Sequence, residues 1–219
     1  MRNGKLMVAP TVLWLSFFFV VPLLIVVAVS FASRTPYGQV IFDWTLGNYA
    51  RFTETLYLSI FADTLIVAVI TTVLTILLGY PLAYFIAQLP QKWQQPGLIL
   101  VMIPFWINFL IRSYAWVIIL RTQGVLNTIL LKFGFIEQPL QMLYNEVAVM
   151  LGMVYALLPF MVLPIYVSIE QLDHRLLEAA SDLGASPFTA FRKVTLPLTM
   201  PGIAAGTILV FISSLGMFV

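Results

Sequence analysis

An all-α integral membrane protein, a bundle of apolar helices that crosses the bilayer several times, is the fold class this sequence predicts. Hydrophobic residues fill 61% of its 219 positions and charged residues only 9%, against about a quarter charged in soluble domains. Mean hydropathy is +1.00. The apolar residues gather into five runs, near 6–31, 64–87, 97–120, 147–169 and 198–219. Each is close to the roughly 20 residues that span hydrocarbon, where a backbone without water must pair with itself as helix.

The first run follows Arg2 and Lys5. It is longer than the roughly 7 to 15 apolar residues of a secretory signal, so it reads as a span with a cytoplasmic N-terminus. Residues 32–61 hold Arg34, Pro36, Gly38, Asp43, Gly47, Arg51 and Glu54 and read as an external loop. The second span contains Gly79-Tyr80-Pro81, where a proline without an N–H predicts a kink. Residues 89–96, with Lys92, are a short cytoplasmic turn, and the third span follows, with Arg112 set inside it. Residues 121–146 are external again, with a short helix near 124–133. The fourth span carries Pro159 and Pro164; the fifth carries Gly202 and Gly206, a GxxxG spacing that lets two helices approach closely. On this topology six basic residues lie inside (Arg2, Lys5, Lys92, Arg175, Arg192, Lys193) and four outside (Arg34, Arg51, Arg121, Lys132), in keeping with an inside N-terminus.

Between the last two spans, residues 170–197 carry charge and must sit in water or against protein. Leu172, Leu176, Ala180 and Leu183 recur at helical spacing, and Gly184 supplies a left-handed stop. Ser186-Pro187 then reads as an N-cap with proline at the first helical position, opening a second helix that runs to about Val194. The stretch is therefore helix, glycine turn, helix.

Composition excludes several classes. A net charge of +2 with scattered basic residues gives no footprint for nucleic acid. With no cysteine and one histidine there is no thiolate nucleophile and no His-based metal site. No GxxxxGK[ST] phosphate loop occurs, so the chain does not hold ATP in that way. His174 lies four residues before Glu178, but no third group joins them, and the pair reads as a solvated helix face. Neither a catalytic residue nor a cofactor is expected.

Glu178-Ala179-Ala180, Gly184 and Val194-x-Leu196-Pro197 follow the pattern EAA-x3-G-x9-I-x-LP, with Val194 in the isoleucine position. This resembles the permease subunits of binding-protein-dependent ABC importers. The phrases LGYPLAYFIAQLP (78–90), PFWINFLIRSYAW (104–116), GVLNTILLKFG (124–134) and LLPFMVLPIYVSIEQLD (157–173) are similar to the spermidine/putrescine branch of that family. They stand nearest its first permease subunit, with the putrescine-specific permease as rival. The resemblance implies the type I importer permease fold, residence in the bacterial inner membrane, and a docking role for the loop residues Glu178, Ala179, Ala180, Gly184, Leu196 and Pro197. It also implies partners: a homodimer of ATPase subunits that hydrolyses the ATP, a second homologous permease, a periplasmic polyamine-binding protein, and membrane lipid. It further implies a sixth span, which this sequence, ending in an apolar run at Val219, is expected to lack. A permease for another small solute is the alternative. An ion-gradient transporter is less favoured, since it would place coupling carboxylates within its spans and none is found in the five runs.

Two kinds of residue are singled out within the spans. Arg112 is costly in hydrocarbon, about 2.5 to 3.5 kcal/mol at a helix centre, and calls for a partner. Asp63, Glu146 or an acid of the second permease are the candidates, or else the side chain snorkels to the outer interface. It reads as a structural or gating group. Aromatic faces attract ammonium groups. On a continuous third helix Trp106, Leu110 and Tyr114 share one face, opposed to Arg112 and Trp116, so Trp106 and Tyr114 are the candidate pathway lining. Tyr80, Tyr84 and Tyr155 read as packing or interface residues.

Overall fold

The computed structural model of the protein describes residues 3–35, 37 and 39–218, with side chains for all of these except 3–7, 174 and 218. Arg2, Pro36, Gly38 and Val219, and the side chains of Lys5 and His174, lie outside the described residues. The chain forms two compact units, Met1–Ala62 and Asp63–Val219.

In the first unit, helix α1 (Asn3–Ser30) is followed by a two-residue antiparallel ladder of β1 (Ser33–Arg34) and β2 (Val40–Ile41), with Ser33 opposite Ile41. Helix α2 (Gly47–Arg51) packs back on this turn. Asn48 Nδ2 donates to the carbonyls of Ser30 and Ala32 at 3.0 and 2.7 Å, closing orphan acceptors at the end of α1. The Phe31 ring stands 5.5 Å from Tyr49 and 6.1 Å from Trp44. The segment predicted as a loop to residue 61 is shorter than expected, because helix α3 (Thr55–Gln88) already begins at Thr55. Leu56, Leu58 and Ile60 make those early turns apolar, although Ser59 and Asp63 interrupt the hydropathic run.

The second unit contains the core. Helix α3 runs unbroken through Gly79, Tyr80 and Pro81, and turns at Leu89 and Pro90 into α4 (Gln91–Trp106). Its buried face is threonine-rich: Thr64, Thr71, Thr72 and Thr75 are all buried. Thr72 Oγ1 donates to the Ala68 carbonyl at 2.7 Å, which satisfies a hydroxyl without an interhelical partner. Helices α5 (Phe109–Leu120) and α6 (Val125–Lys132) follow, then α7 (Glu146–Glu170), capped by Asn145, whose Oδ1 accepts from the Ala148 amide at 2.8 Å. Buried Asn127 on α6 holds the connecting loop, exchanging hydrogen bonds with both backbone groups of Leu140 at 2.8 and 2.9 Å.

Met161 of α7, fully buried, is the packing centre. A Cβ on Gly79 of α3 would stand 2.9 Å from Met161 Cγ, and one on Gly206 of the last helix, α11 (Met200–Phe218), 2.8 Å from Met161 Sδ. A Cβ on Gly202 would collide with the Pro164 carbonyl and Ser168 Oγ. The GxxxG pair is thus the face on which α7 and α11 pack, and α3 closes on the same methionine. Tyr80, Ala83, Ile86, Leu157, Ile165 and Val210 complete the cluster.

The third span departs from the prediction. The continuous helix expected over 97–120 is broken at Ile107 and Asn108, whose ψ values of 131° and 137° are extended. Asn108 turns its side chain back on its own backbone, Oδ1 accepting from the Leu110 amide at 2.9 Å, and so caps α5. Neither α4 with 16 residues nor α5 with 12 reaches spanning length alone. Five stretches among the described residues are long and apolar enough to cross a membrane: Val8–Ser30, Thr55–Gln88, Phe109–Lys132, Glu146–Glu170 and Met200–Met217.

Candidate functional site

The loop that links α7 to α11 is built almost wholly from local capping. Helix α8 (His174–Asp182) starts on Asp173, whose Oδ1 accepts from the Arg175 amide at 3.0 Å. It ends in a paired stop: the Gly184 amide donates to the Ser181 carbonyl at 2.9 Å and the Ala185 amide to the Ala180 carbonyl at 3.0 Å, with Gly184 at φ 78°. That pairing requires a left-handed residue at 184, which is why glycine stands there. Ser186 then opens α9 (Pro187–Ala190), its Oγ accepting from the Thr189 amide at 3.3 Å, with Pro187 first in the helix. Beyond Ala190 the prediction is corrected. The helix does not stop at Val194 but passes through a π turn (Phe191–Thr195) into α10 (Leu196–Leu198) and, at Thr199, into α11. The Leu196 amide reaches back five residues to the Phe191 carbonyl, and Thr199 Oγ1 donates into the Thr195 carbonyl at 2.9 Å.

The apolar face of α8 is also rotated from the one expected. Leu177 and Ala180 turn inward, whereas Leu176 is exposed and Leu183 is 90% exposed at the Gly184 turn. Phe188 is 71% exposed as well, so the loop carries two bare apolar side chains along with exposed Glu178, Asp182, Arg192 and Lys193. Of the predicted docking residues, Glu178, Ala179, Gly184 and Pro197 are exposed, while Ala180 and Leu196 are half-buried, Leu196 packing on the core cluster. Behind the loop lies a cavity of about 560 Å³, lined by Tyr84, Gln94, Tyr166, Glu170, Leu177 and Thr195 among others.

Tyr80 and Tyr84, read from the sequence as packing or interface residues, tie this loop to the bundle together with residues that sequence reasoning missed: Phe191, Gln94, Tyr166 and Thr199. Phe191 lies edge-on between two rings of α3, 5.8 Å from Tyr80 at 78° and 5.5 Å from Tyr84 at 79°. The Tyr80 hydroxyl and Thr199 Oγ1 are 3.0 Å apart. Gln94 of α4 accepts from the Tyr166 hydroxyl of α7 at 3.2 Å and donates to the carbonyls of Ala87 and Leu89 at 3.1 and 2.9 Å. One signal was available: Tyr80, Tyr84 and Phe191 are aromatic groups at the loop end of their elements, with the tyrosines at i, i+4 on one helix face.

Arg112 does not meet Asp63 or Glu146, the two carboxylates of this chain proposed for it. Its Nη1 donates to the Pro104 carbonyl at 3.2 Å and its guanidinium lies 5.7 Å from the Phe109 ring centroid; neither Asp63 nor Glu146 is among these contacts. Asp63 lies within α3 rather than at a helix end. In an unbroken helix the Pro104 carbonyl would accept from the amide of Asn108, which the break removes. Arg112 takes that place, a cation at the C-terminus of α4. Trp116 shares its face of α5 and stands 5.6 Å from Tyr155 of α7, both Arg112 and Trp116 lining a cavity of about 350 Å³. Tyr114 is 68% exposed on α5, and Trp106, 71% exposed, ends α4 on the far side of the break, so the two do not share one helix face.

This arrangement, a helical bundle with a capped, charged helix pair before its last helix, has clear relatives. The sequence model of the family described as "Binding-protein-dependent transport system inner membrane component" matches residues 79–219, and the chain belongs to that family. It is 45% identical over 214 residues to the spermidine/putrescine transport system permease protein PotB of Haemophilus influenzae, covering 98% of this chain and 75% of that protein. The protein of the same name from Escherichia coli is 45% identical over 212 residues, 97% of this chain and 77% of that protein. Among solved structures, a bacterial ABC transporter involved in import of the acidic polysaccharide alginate matches with a TM-score of 0.72 over 95% of this chain and 72% of that one, at 19% identity, a likeness of fold.

Proposed function

We propose that this chain is the transmembrane permease subunit of an ATP-driven importer of polyamines, passing spermidine or putrescine from a periplasmic binding protein to the cytoplasm. The single observation that carries the docking role is the pair of bare apolar side chains on the 170–197 loop. Leu183 at a glycine turn and Phe188 on the next helix are apolar groups that a partner would bury. ATP-hydrolysing subunits, acting as a pair, are that partner, and they supply the chemistry, while this chain moves. A second homologous permease completes the pathway. Support for the substrate comes from the relatives named for spermidine and putrescine transport at 45% identity. The N-terminus and the 170–197 loop lie in the cytoplasm on this reading, in keeping with six basic residues on that side against four.

In operation, closure of the ATPase pair on nucleotide presses on the loop, and the spans rock between outward and inward openings. Trp106 and Tyr114 offer exposed aromatic faces to the cationic substrate, and Arg112 holds the junction between α4 and α5. The test is uptake by the reconstituted complex of labelled spermidine, putrescine and an unrelated amino acid, with and without ATP. Polyamine uptake that requires ATP supports the reading; uptake of the amino acid alone, or uptake driven by an ion gradient without ATP, refutes it.

A further inference from the structure

We infer that Phe191 is the positioning residue through which displacement of the 170–197 loop reaches α3; this rests on the docking role proposed above for that loop. Phe191 and Leu196 are the loop side chains that pack on the core cluster, and of the two only Phe191 is aromatic. Leu183, Phe188 and the charges of the loop are exposed, and α8 is set off from α3 by cavities of about 560 and 270 Å³. Across that gap Phe191 is the ring that joins the two, held edge-on by Tyr80 and Tyr84 at 5.8 and 5.5 Å. Edge-to-face pairs of this kind resist sliding, because the positive ring edge faces the negative face of its neighbour. The tyrosines are i, i+4 on one face of α3, so a push on Phe191 bears on two successive turns of one helix.

The backbone around Phe191 fits such a role. Phe191 opens the π turn, and its carbonyl receives the five-residue hydrogen bond from Leu196. A π turn carries one residue more than the helix needs, and such turns inside α-helices occur frequently at functional sites. Just beyond it, Thr199 ties α11 to the same Tyr80 whose ring clasps Phe191. Loop, α3 and α11 therefore converge on one aromatic group.

The chain has no cysteine, so labels can be placed singly. Spin labels at Ser181→Cys on α8 and Leu78→Cys on α3, both exposed positions, report the distance between loop and span in the assembled complex with and without trapped nucleotide. The expected result is one distance in both states for the wild-type background and two distances, several ångströms apart, for Phe191→Ala. Uptake per ATP hydrolysed should fall at least fivefold in Phe191→Ala and return toward normal in Phe191→Tyr, which keeps the ring. If Phe191→Ala does not assemble, Phe191→Leu, which keeps bulk without an aromatic edge, takes its place. A nucleotide-independent distance together with normal uptake per ATP in the alanine or leucine variant overturns the proposal. Since the label distance needs no substrate, a complex that fails to move polyamines yet loses its fixed distance in Phe191→Ala would sink the substrate reading and leave Phe191 in its role.

Discussion

Replacing Arg112 by alanine should unfasten the junction between α4 and α5 rather than the pathway. The guanidinium supplies a donor to the Pro104 carbonyl at 3.2 Å, a cation at the end of α4, and a contact with the Phe109 ring. A hydrogen bond to a charged group contributes about 1.5 to 3 kcal/mol, the helix-end charge about 0.3 to 1 kcal/mol, and the ring contact about 0.5 to 1 kcal/mol at a partly exposed site. The three share one side chain, which is only half-buried, so they are not additive, and about 2 to 3 kcal/mol is the expected loss. Arg112→Lys keeps the charge without the planar fork and should lose about half of that. The assay is the thermal midpoint of the purified complex, read beside uptake per mole of assembled complex. The reasoning fails if Arg112→Ala melts with the wild type while transport collapses. A double-mutant cycle with Glu146→Gln should show no coupling; a coupling above about 1 kcal/mol would restore the carboxylate partner that the geometry denies.

Four further outcomes are expected. At Gly184 a Cβ would meet nothing within 4 Å, so substitution costs only the left-handed backbone, about 1 to 2 kcal/mol; Gly184→Val should lower uptake per ATP, and Gly184→Asn, which tolerates that backbone, should not. Gly206→Leu must displace Met161 and should cost at least the roughly 1 to 3 kcal/mol typical of overpacking, lowering the thermal midpoint and the yield of assembled complex, whereas Gly152→Ala, with open space at its Cβ, should assemble normally. Gln94→Leu strands the Tyr166 hydroxyl and the carbonyls of Ala87 and Leu89, so the thermal midpoint should fall by the equivalent of about 1 to 3 kcal/mol. Trp106→Ala and Tyr114→Ala remove exposed rings and should leave the midpoint unchanged while reducing polyamine uptake; normal uptake in both would remove them from the pathway.

What the sequence made legible is what it encodes locally. The Gly184 stop and the Ser186-Pro187 cap are written in single residues whose backbone preferences act within a turn, and each stands where those preferences put it. The small residues at 202 and 206 announced a close approach, although only the fold could name Met161 as what approaches. Hydropathy, by contrast, records transfer to lipid and is blind to a helix break that stays apolar. Trp106-Ile107-Asn108-Phe109 has the composition of a span, and nothing in its periodicity marks the turn at 107–108.

The signal at that break lay in a different place, the pairing of Asn108 with Arg112. Asn can cap its own helix, and a cap at 108 abandons the carbonyl of residue 104, where a proline at that position has already given up its own amide. An arginine four residues beyond the cap is long enough to reach back and take the abandoned acceptor, and in hydrocarbon an acceptor left bare is costly enough to require it. The same charge that looked anomalous inside a continuous helix becomes ordinary at a helix end. An arginine within an apolar run, preceded at four residues by Asn and at eight by Pro, is thus a testable signature of a broken span: Asn108→Leu should let the helix run on, release Arg112 from the Pro104 carbonyl, and make Arg112→Ala harmless in that background.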